Sequence, residues 1–132
     1  MSTLKVNTVQ HNTSGFNNVV QFTDGAGTEN GTLCRAWVNF NGTGTVAIRD
    51  DFNVSSITDN GVGDYTVNFT SALVDTNYSV LTTSRDNGVT NFVTSLSATL
   101  STKTTTALEV ICARRDNGSL IDTSEYNVAI FR

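Results

Sequence analysis

The stretch "NGTGTVAIRDDFNVSSITDNGVGDYTVNF", residues 41–69, alternates polar and apolar side chains almost without interruption. It contains no Pro, Lys, Cys or His, and Gly, Asn and Asp recur at short intervals. Alternation with a period of two is typical of strands with one buried face, and Gly, Asn and Asp suit tight turns. The stretch therefore predicts antiparallel strands joined by turns, with few side chains suited to catalysis.

The same pattern continues on both sides of this stretch. Before it, one face of a predicted strand collects four apolar side chains: Cys34, Ala36, Val38 and Phe40. After it, strand-like runs bounded by turn residues cover residues 77–85, 91–100, 106–115 and 125–131. No window has the three-and-four apolar spacing of a helix. The sequence therefore predicts an all-β fold, an antiparallel β-sandwich of the jelly-roll-like kind.

Residues 1–33 differ from the rest of the chain. After a short alternating run, Leu4 to Val9, the sequence "HNTSGFNNVVQFTDGAGTENGT" is rich in Gly and Asn and has only isolated apolar pairs. Such composition is typical of a linker or an arm. We therefore expect an extended N-terminal arm over residues 1–33 and a head domain over residues 34–132.

The charge and composition of the chain exclude several classes of partner. Charged residues make up 15% of the chain, against roughly 25% in an average soluble domain. The net charge of −4 predicts a field that repels phosphate backbones and anionic lipids, so nucleic acid is not an expected partner. No apolar run reaches the roughly 20 residues of a membrane span, and "MSTLKVNTVQHN" lacks the apolar core of a secretory signal. We expect synthesis in the cytoplasm and no membrane insertion.

The side chains that catalysis or metal binding needs are scarce. His11 is the single histidine, whereas a serine or cysteine hydrolase needs a histidine beside its nucleophile. Cys34 and Cys112 have no metal-ligand spacing with it, and we expect them to be buried free thiols rather than a disulfide. The densest acidic group falls at predicted strand ends, where Asp is an ordinary turn former: Asp50, Asp51, Asp59 and Asp64. The sequence predicts no catalytic site, no metal site and no cofactor.

The tripeptide Asp-Asn-Gly occurs three times, at Asp59–Gly61, Asp86–Gly88 and Asp116–Gly118. Asn-Gly is the pair best able to adopt the positive φ angles of a tight hairpin turn, so each copy predicts a hairpin corner. The longer match "RDNG", at 85–88 and 115–118, has two explanations. We favour recurring turn chemistry over an internal duplication.

Trp37 is the most informative single residue, because strict alternation puts it on the polar face of its strand with Arg35 and Asn39. Three interpretations stay open: a loop of the same chain covers it, a neighbouring subunit buries it, or it stacks on a sugar ring. Arg114 and Arg115 are adjacent in a strand-like run and point to opposite faces, so at least one enters a covered face. An intersubunit ion pair with an Asp is one way to satisfy that charge.

Three short motifs lie within residues 34–80: "AWVNFNG" at 36–42, "GTVAIR" at 44–49, and "DNG" at 59–61 followed by "GDYTV" at 63–67. The block that contains them closely resembles a module of tail-fibre and other fibre-like proteins of bacteriophages, notably phages of aquatic bacteria. The opening "STLKVNTVQ" is also similar to the start of many phage fibre chains. Residues 81–132 resemble the family only in their strand rhythm.

The resemblance implies a non-catalytic, homotrimeric structural protein of the virion surface, a tail fibre or fibre tip that acts in host attachment. Its implied partners are further copies of itself, another virion protein held through residues 1–33 as attachment or trimerisation segment, and a bacterial surface receptor, glycans included. A capsid decoration or head-fibre protein and, in another class, a glycan-binding lectin-like domain remain alternatives.

Two sets of residues are the candidates for these contacts. The candidates for a subunit interface or for glycan stacking are Trp37, Arg35, Arg114 and Arg115. The candidate receptor-facing turn residues are Asp86, Asn87, Gly88, Asp116, Asn117 and Gly118.

Overall fold

The structure, a computed structural model, describes residues 19–24, 27–85, 93–97, 103–114 and 117–132. The chain divides into two compact units, Met1–Leu33 and Cys34–Arg132. The described residues contain no helix. Their strands are β1 (Val19–Asp24), β2 (Gly27–Thr32), β3 (Cys34–Asn41), β4 (Ala47–Phe52), β5 (Val54–Gly61), β6 (Asp64–Phe69), β7 (Ser79–Ser84), β8 (Val93–Ser97), β9 (Ala107–Arg114) and β10 (Tyr126–Phe131).

The described strands of the first unit form a two-stranded antiparallel hairpin. β1 pairs with β2 from Val19↔Thr32 to Asp24↔Gly27. The sequence predicts an arm or linker over residues 1–33, and this hairpin was not anticipated. Gly25, directly after Asp24, is the signal that could have found it, because Gly is typical of the first position in a two-residue hairpin loop.

The second unit consists of two four-stranded antiparallel sheets. The first sheet has the order β4-β3-β10-β7 and the second has the order β5-β6-β9-β8. Every neighbouring pair in both sheets is antiparallel. The predicted all-β, antiparallel fold is therefore confirmed.

A single apolar core is built from the inner faces of the two sheets. Each of the four central strands buries alternate side chains, as the period-two pattern predicts. The resulting core includes Ala36, Val38 and Phe40 of β3, Tyr126, Val128 and Ile130 of β10, Tyr65, Val67 and Phe69 of β6, and Leu108, Val110 and Cys112 of β9. Two sheets that share one core are consistent with a β-sandwich.

Three aromatic rings contact one another at one end of this core. Phe40 meets Tyr65 edge-on at 5.2 Å between ring centroids and stacks on Tyr126 at 5.2 Å. The Tyr65 hydroxyl donates a hydrogen bond over 2.9 Å to the Gly42 carbonyl, just after β3, and lies 2.8 Å from Asp122 Oδ1, before β10. A residue of the second sheet is thereby tied to segments that border two strands of the first.

Gly42 is required by the close approach of Tyr65. A Cβ atom at this position would lie 2.5 Å from the Tyr65 hydroxyl oxygen and 3.1 Å from the Thr123 carbonyl oxygen. The Gly42 amide also donates to that Thr123 carbonyl over 2.9 Å. Only glycine leaves room for the hydroxyl and the backbone bond together.

The chain passes from the first sheet to the second at Asn53, which has a positive φ of 58°. Asn is among the few residues that tolerate this left-handed conformation. The Asn53 side chain donates to the carbonyl of Arg35 over 3.1 Å and accepts from the amide of Ser71 over 2.8 Å. These bonds fix the corner between β4 and β5.

The hairpin corner predicted at Asp59–Gly61 is displaced by two residues. Those residues belong to the end of β5, and the turn is made by Val62 and Gly63 after the pair Gly61↔Asp64. Gly63 has a φ of 65°, and a Cβ there would lie 2.6 Å from the Cys112 carbonyl oxygen. The prediction was wrong because the turn's position follows this close approach to β9 rather than the Asn-Gly pair.

We expect Tyr65→Phe to lower the free energy of unfolding by about 1–3 kcal/mol, because Gly42 and Asp122 lose a donor in the interior. Tyr78→Phe is the matched control, since the Tyr78 hydroxyl lies within hydrogen-bond distance of two neutral backbone oxygens, those of Thr104 at 3.0 Å and Ala107 at 3.5 Å. Urea denaturation of both variants measures the difference. Equal losses of unfolding free energy in the two variants would contradict the larger contribution that we assign to the Tyr65 hydroxyl.

Two of the three buried tyrosines, Tyr65 and Tyr78, also predict alkaline destabilisation. Burial raises the pKa of Tyr78 from 10.0 to about 12 and raises the pKa of Tyr65 further, with the neighbouring Asp122 adding to the Tyr65 shift. Because the folded state favours the neutral phenols, this stabilisation is complete below pH 10 and is lost as the pH rises towards 12 and beyond. The unfolding free energy measured from pH 8 to 12 should fall above pH 10, and less steeply in Tyr78→Phe. An unfolding free energy that stays constant from pH 8 to 12 would contradict the raised pKa values of these phenols.

Candidate functional site

The outer face of the first sheet carries a row of apolar side chains that crosses all four strands. The strand register places Phe52 of β4 beside Trp37 of β3, Trp37 beside Ala129 of β10, and Ala129 beside Leu81 of β7. Four strands span about 14 Å at their usual spacing. We call Phe52, Trp37, Ala129 and Leu81 the apolar stripe.

The two ends of the apolar stripe are open to solvent. Phe52 is 53% exposed and Leu81 is 58% exposed, whereas Trp37 and Ala129, on the two central strands, are half-buried. The described residues include six exposed large hydrophobic side chains, and of these only Phe52 and Leu81 lie within strands. The other four are Leu33, Val62, Val74 and Leu120. Large apolar side chains gathered on one sheet face are typical of a contact surface.

A second row on the same face is polar. Two residues along each strand from the stripe, about 7 Å away, the register aligns Asp50, Asn39, Asn127 and Thr83, which we call the polar row. Asn39 Nδ2 donates to Asn127 Oδ1 over 2.6 Å. Arg49 Nη1 donates to Asn39 Oδ1 over 3.4 Å, and its other terminal nitrogen bonds the Ser124 carbonyl. The two central amides are therefore held in a defined orientation.

An open pocket of about 230 Å³ lies where the two rows meet. Trp37 and Leu81 contribute to its lining, and between them the register places Ala129, whose small side chain leaves the recess. Asn127 and Thr83 of the polar row also line it. The lining of the pocket is thus mostly apolar, with Trp37 and Leu81, and it includes two residues whose side chains can form hydrogen bonds.

The outer face of the second sheet is different, because its polar side chains bond one another. Asn68 Nδ2 donates to Ser56 Oγ over 3.1 Å and to Thr58 Oγ1 over 3.0 Å. Asn60 Nδ2 donates to Thr66 Oγ1 over 2.9 Å. This network pairs these polar side chains of β5 and β6 with one another, so we take the first sheet as the better candidate for a contact surface.

The other candidate residues are not part of the apolar stripe. Arg35 precedes Trp37 by two residues in β3, and the register shift between Ile130 and Phe131 leaves Arg35 without a partner residue in β10. Arg114 ends β9 in the second sheet, where its amide donates to the Ser119 carbonyl over 2.8 Å. Arg115 lies outside the described residues.

The candidate receptor-facing turns are described only in part. Asp86, Asn87, Gly88 and Asp116 lie outside the described residues. Asn117 and Gly118 are exposed, Asn117 Oδ1 accepts from the Ser119 amide over 2.9 Å, and Gly118 has a φ of 72°. Both residues fill roles that a tight turn needs.

Sequence reasoning missed Phe52, Leu81, Asn127 and Thr83 as neighbours of Trp37. Alternation alone could have placed Leu81 on the outer face, since Val80 packs against the core. Its position beside Trp37 depends on the pairing of β7 and β3 with β10, which the sequence does not reveal. The Tyr65–Asp122 contact was missed for the same reason.

Both cysteines are free thiols, as predicted, but they differ in burial. Cys112 is fully buried, and burial raises the pKa of its thiol. Cys34 is half-buried and lies 3.3 Å from the Ala36 carbonyl oxygen. The expectation of two buried thiols therefore holds fully for Cys112 only.

Comparison of the chain with protein-family models, with curated proteins and with solved structures found no match. Within the described residues, no group of three or more His, Cys, Asp or Glu side chains is arranged to hold a metal ion. The same residues include no helix long and apolar enough to cross a membrane.

The difference between the thiols predicts a difference in reactivity. We expect Cys112 to react with a disulfide reagent such as Ellman's more than about tenfold more slowly than Cys34 in the native protein, because the thiolate is the reactive form. Unfolding in denaturant should make both thiols react at once. Cys34→Ser and Cys112→Ser variants assign the phases, and equal native rates would contradict the burial of Cys112.

Proposed function

We propose that the chain is a bacteriophage virion fibre protein, a tail fibre or fibre tip that acts in host attachment without catalysis. In this proposal the protein is a homotrimer on the virion surface. Residues 34–132 form a jelly-roll-like head, and residues 1–33 hold another virion protein or help to form the trimer. The head faces a receptor on the bacterial surface.

The observation that carries the proposal is the resemblance of residues 34–80 to phage fibre modules. In the structure, the motif residues of this block form the centre of the core: Ala36, Val38, Phe40 and Gly42 on one side, and Tyr65 and Val67 on the other. The resemblance therefore includes residues that build the core of this fold.

The outer face of the first sheet adds support of a different kind. A protein that displays a surface needs a rigid scaffold and an accessible face, and the apolar stripe with its polar row is such a face. The acidic net charge of −4 keeps such a face away from non-specific contact with nucleic acid released from the host.

A second candidate function is a glycan-binding, lectin-like domain. The observation that favours it is the pocket beside Trp37, which places hydrogen-bonding side chains next to an aromatic ring. The two functions are compatible, because phage host attachment can use a glycan as receptor. Gold-labelled antibody on intact particles separates the tail-fibre proposal from the capsid alternative: label on the tail supports the fibre, label on the capsid supports a head-fibre or decoration protein, and no label contradicts both.

The native mass of the purified protein tests the assembly. We expect about 42 kDa by light scattering, three times the 14.1 kDa chain, and the same value at each of several concentrations. A trimer is expected because burial between subunits adds apolar area beyond what one small chain can offer. A monomer at every concentration would contradict the fibre proposal in this form.

A further inference from the structure

We propose that the pocket beside Trp37 binds one neutral pyranose ring of a bacterial surface glycan. The inference rests on the proposed function in host attachment and names its ligand class. The pocket has an aromatic side chain, an aliphatic side chain and two hydrogen-bonding side chains in its lining: Trp37, Leu81, Asn127 and Thr83.

A sugar ring is amphipathic, with C–H groups on its faces and hydroxyl groups around its edge. Trp37 offers an indole ring whose apolar body can stack on the C–H face. Leu81, on the far side of Ala129, offers an aliphatic surface to the opposite side of the ring. The apolar part of the pocket therefore matches the faces of a pyranose.

The polar row supplies partners for the hydroxyl groups at the ring edge. Asn39 and Asn127 are already joined by their 2.6 Å hydrogen bond, and each amide has more donor and acceptor sites than this bond uses. Thr83, beside Asn127 in the polar row, adds a hydroxyl to the lining of the pocket. Amide and hydroxyl groups together bond both donors and acceptors of a sugar.

The volume of the pocket and the charge of the protein limit the class of sugar further. A volume of about 230 Å³ is below the roughly 300 Å³ at which pockets for drug-sized ligands begin, so a single ring is the suitable unit. Asp50 in the polar row and the net charge of −4 disfavour acidic sugars. Arg49, the nearest cation with a described contact here, bonds Asn39 and the Ser124 carbonyl. The occupant is therefore a neutral sugar.

The polar row also favours a sugar over a second copy of the chain as the occupant. A flat sheet face covered by another protein would have an apolar centre and a polar rim. Here the polar row runs directly beside the apolar stripe along the two central strands, and Ala129 leaves a recess between larger side chains.

Trp37 is the single tryptophan of the chain, so its fluorescence reports on the pocket directly. The experiment titrates the full-length protein with methyl glycosides of glucose, galactose, mannose and N-acetylglucosamine up to about 100 mM, well above the millimolar Kd typical of weak binding. We expect a saturable change in Trp37 fluorescence with at least one glycoside. No saturable change with any of them would overturn the proposal.

Two variants separate the pocket from the rest of the surface. Asn127→Ala keeps Trp37 as the reporter and should weaken binding at least tenfold. Asn68→Ala, on the outer face of the second sheet, is the matched control and should leave the affinity unchanged. Equal weakening in both variants, with folding verified by circular dichroism, would overturn the assignment to this pocket.

Light scattering of Trp37→Ala tests the competing occupant. If the variant keeps the native mass of the unmodified protein, the face is not a subunit interface and the sugar site stands. If the variant loses its partners while remaining folded, a second copy covers the apolar stripe and the sugar proposal fails. Antibody labelling of particles is independent of these results, so the fibre proposal and the sugar proposal can fail separately.

Discussion

The hydroxyl of Tyr65 is the group on which the two-sheet arrangement most depends. It extends from β6 in the second sheet, donates to the backbone of Gly42 beyond β3, and contacts Asp122 ahead of β10. Asp122 Oδ1 also accepts the Gly63 amide over 2.7 Å, so one carboxylate holds both the hydroxyl and the β5–β6 turn. A buried hydroxyl is costly without partners, and these partners exist only when the sheets stand in this one relation. Hydrophobic burial drives the sheets together, and this bond set specifies how they align.

The two sheets share this core but present different outer faces. In the second sheet, Asn, Ser and Thr side chains of β5 and β6 bond one another, whereas the first sheet aligns apolar and polar rows across its strands. The difference begins with pairing, because β3 and β10 put Trp37 next to Ala129 and Asn39 next to Asn127. A scaffold that exposes apolar and polar rows on one outer face, and pairs polar side chains with one another on the other, is suited to the display of a binding surface. This agrees with the fibre function that we propose.

Much of the fold could be predicted from local pattern, and the site could not. Alternation along residues 34–40 identified the core face correctly, because a period of two needs only the residues of one strand. The turn after β5 was misplaced, since the need for Gly63 comes from Cys112, a residue of another strand. Trp37 was singled out by its own strand, but its neighbours Phe52 and Leu81 are set by strand register. Register is a non-local property, and one sequence contains no direct signal of it.

The position of β10 has a consequence for how the chain reaches this structure. β10 is the last strand in chain order, yet it lies between β3 and β7 in the first sheet. Its pairing with β3 joins Tyr126 to Phe40, so a very long loop must close before the sheet is complete. While the chain emerges from the ribosome, β3 therefore keeps one edge unpaired, open to the edge of a neighbouring nascent chain. A slow, late insertion of β10 would then limit the yield of folded protein.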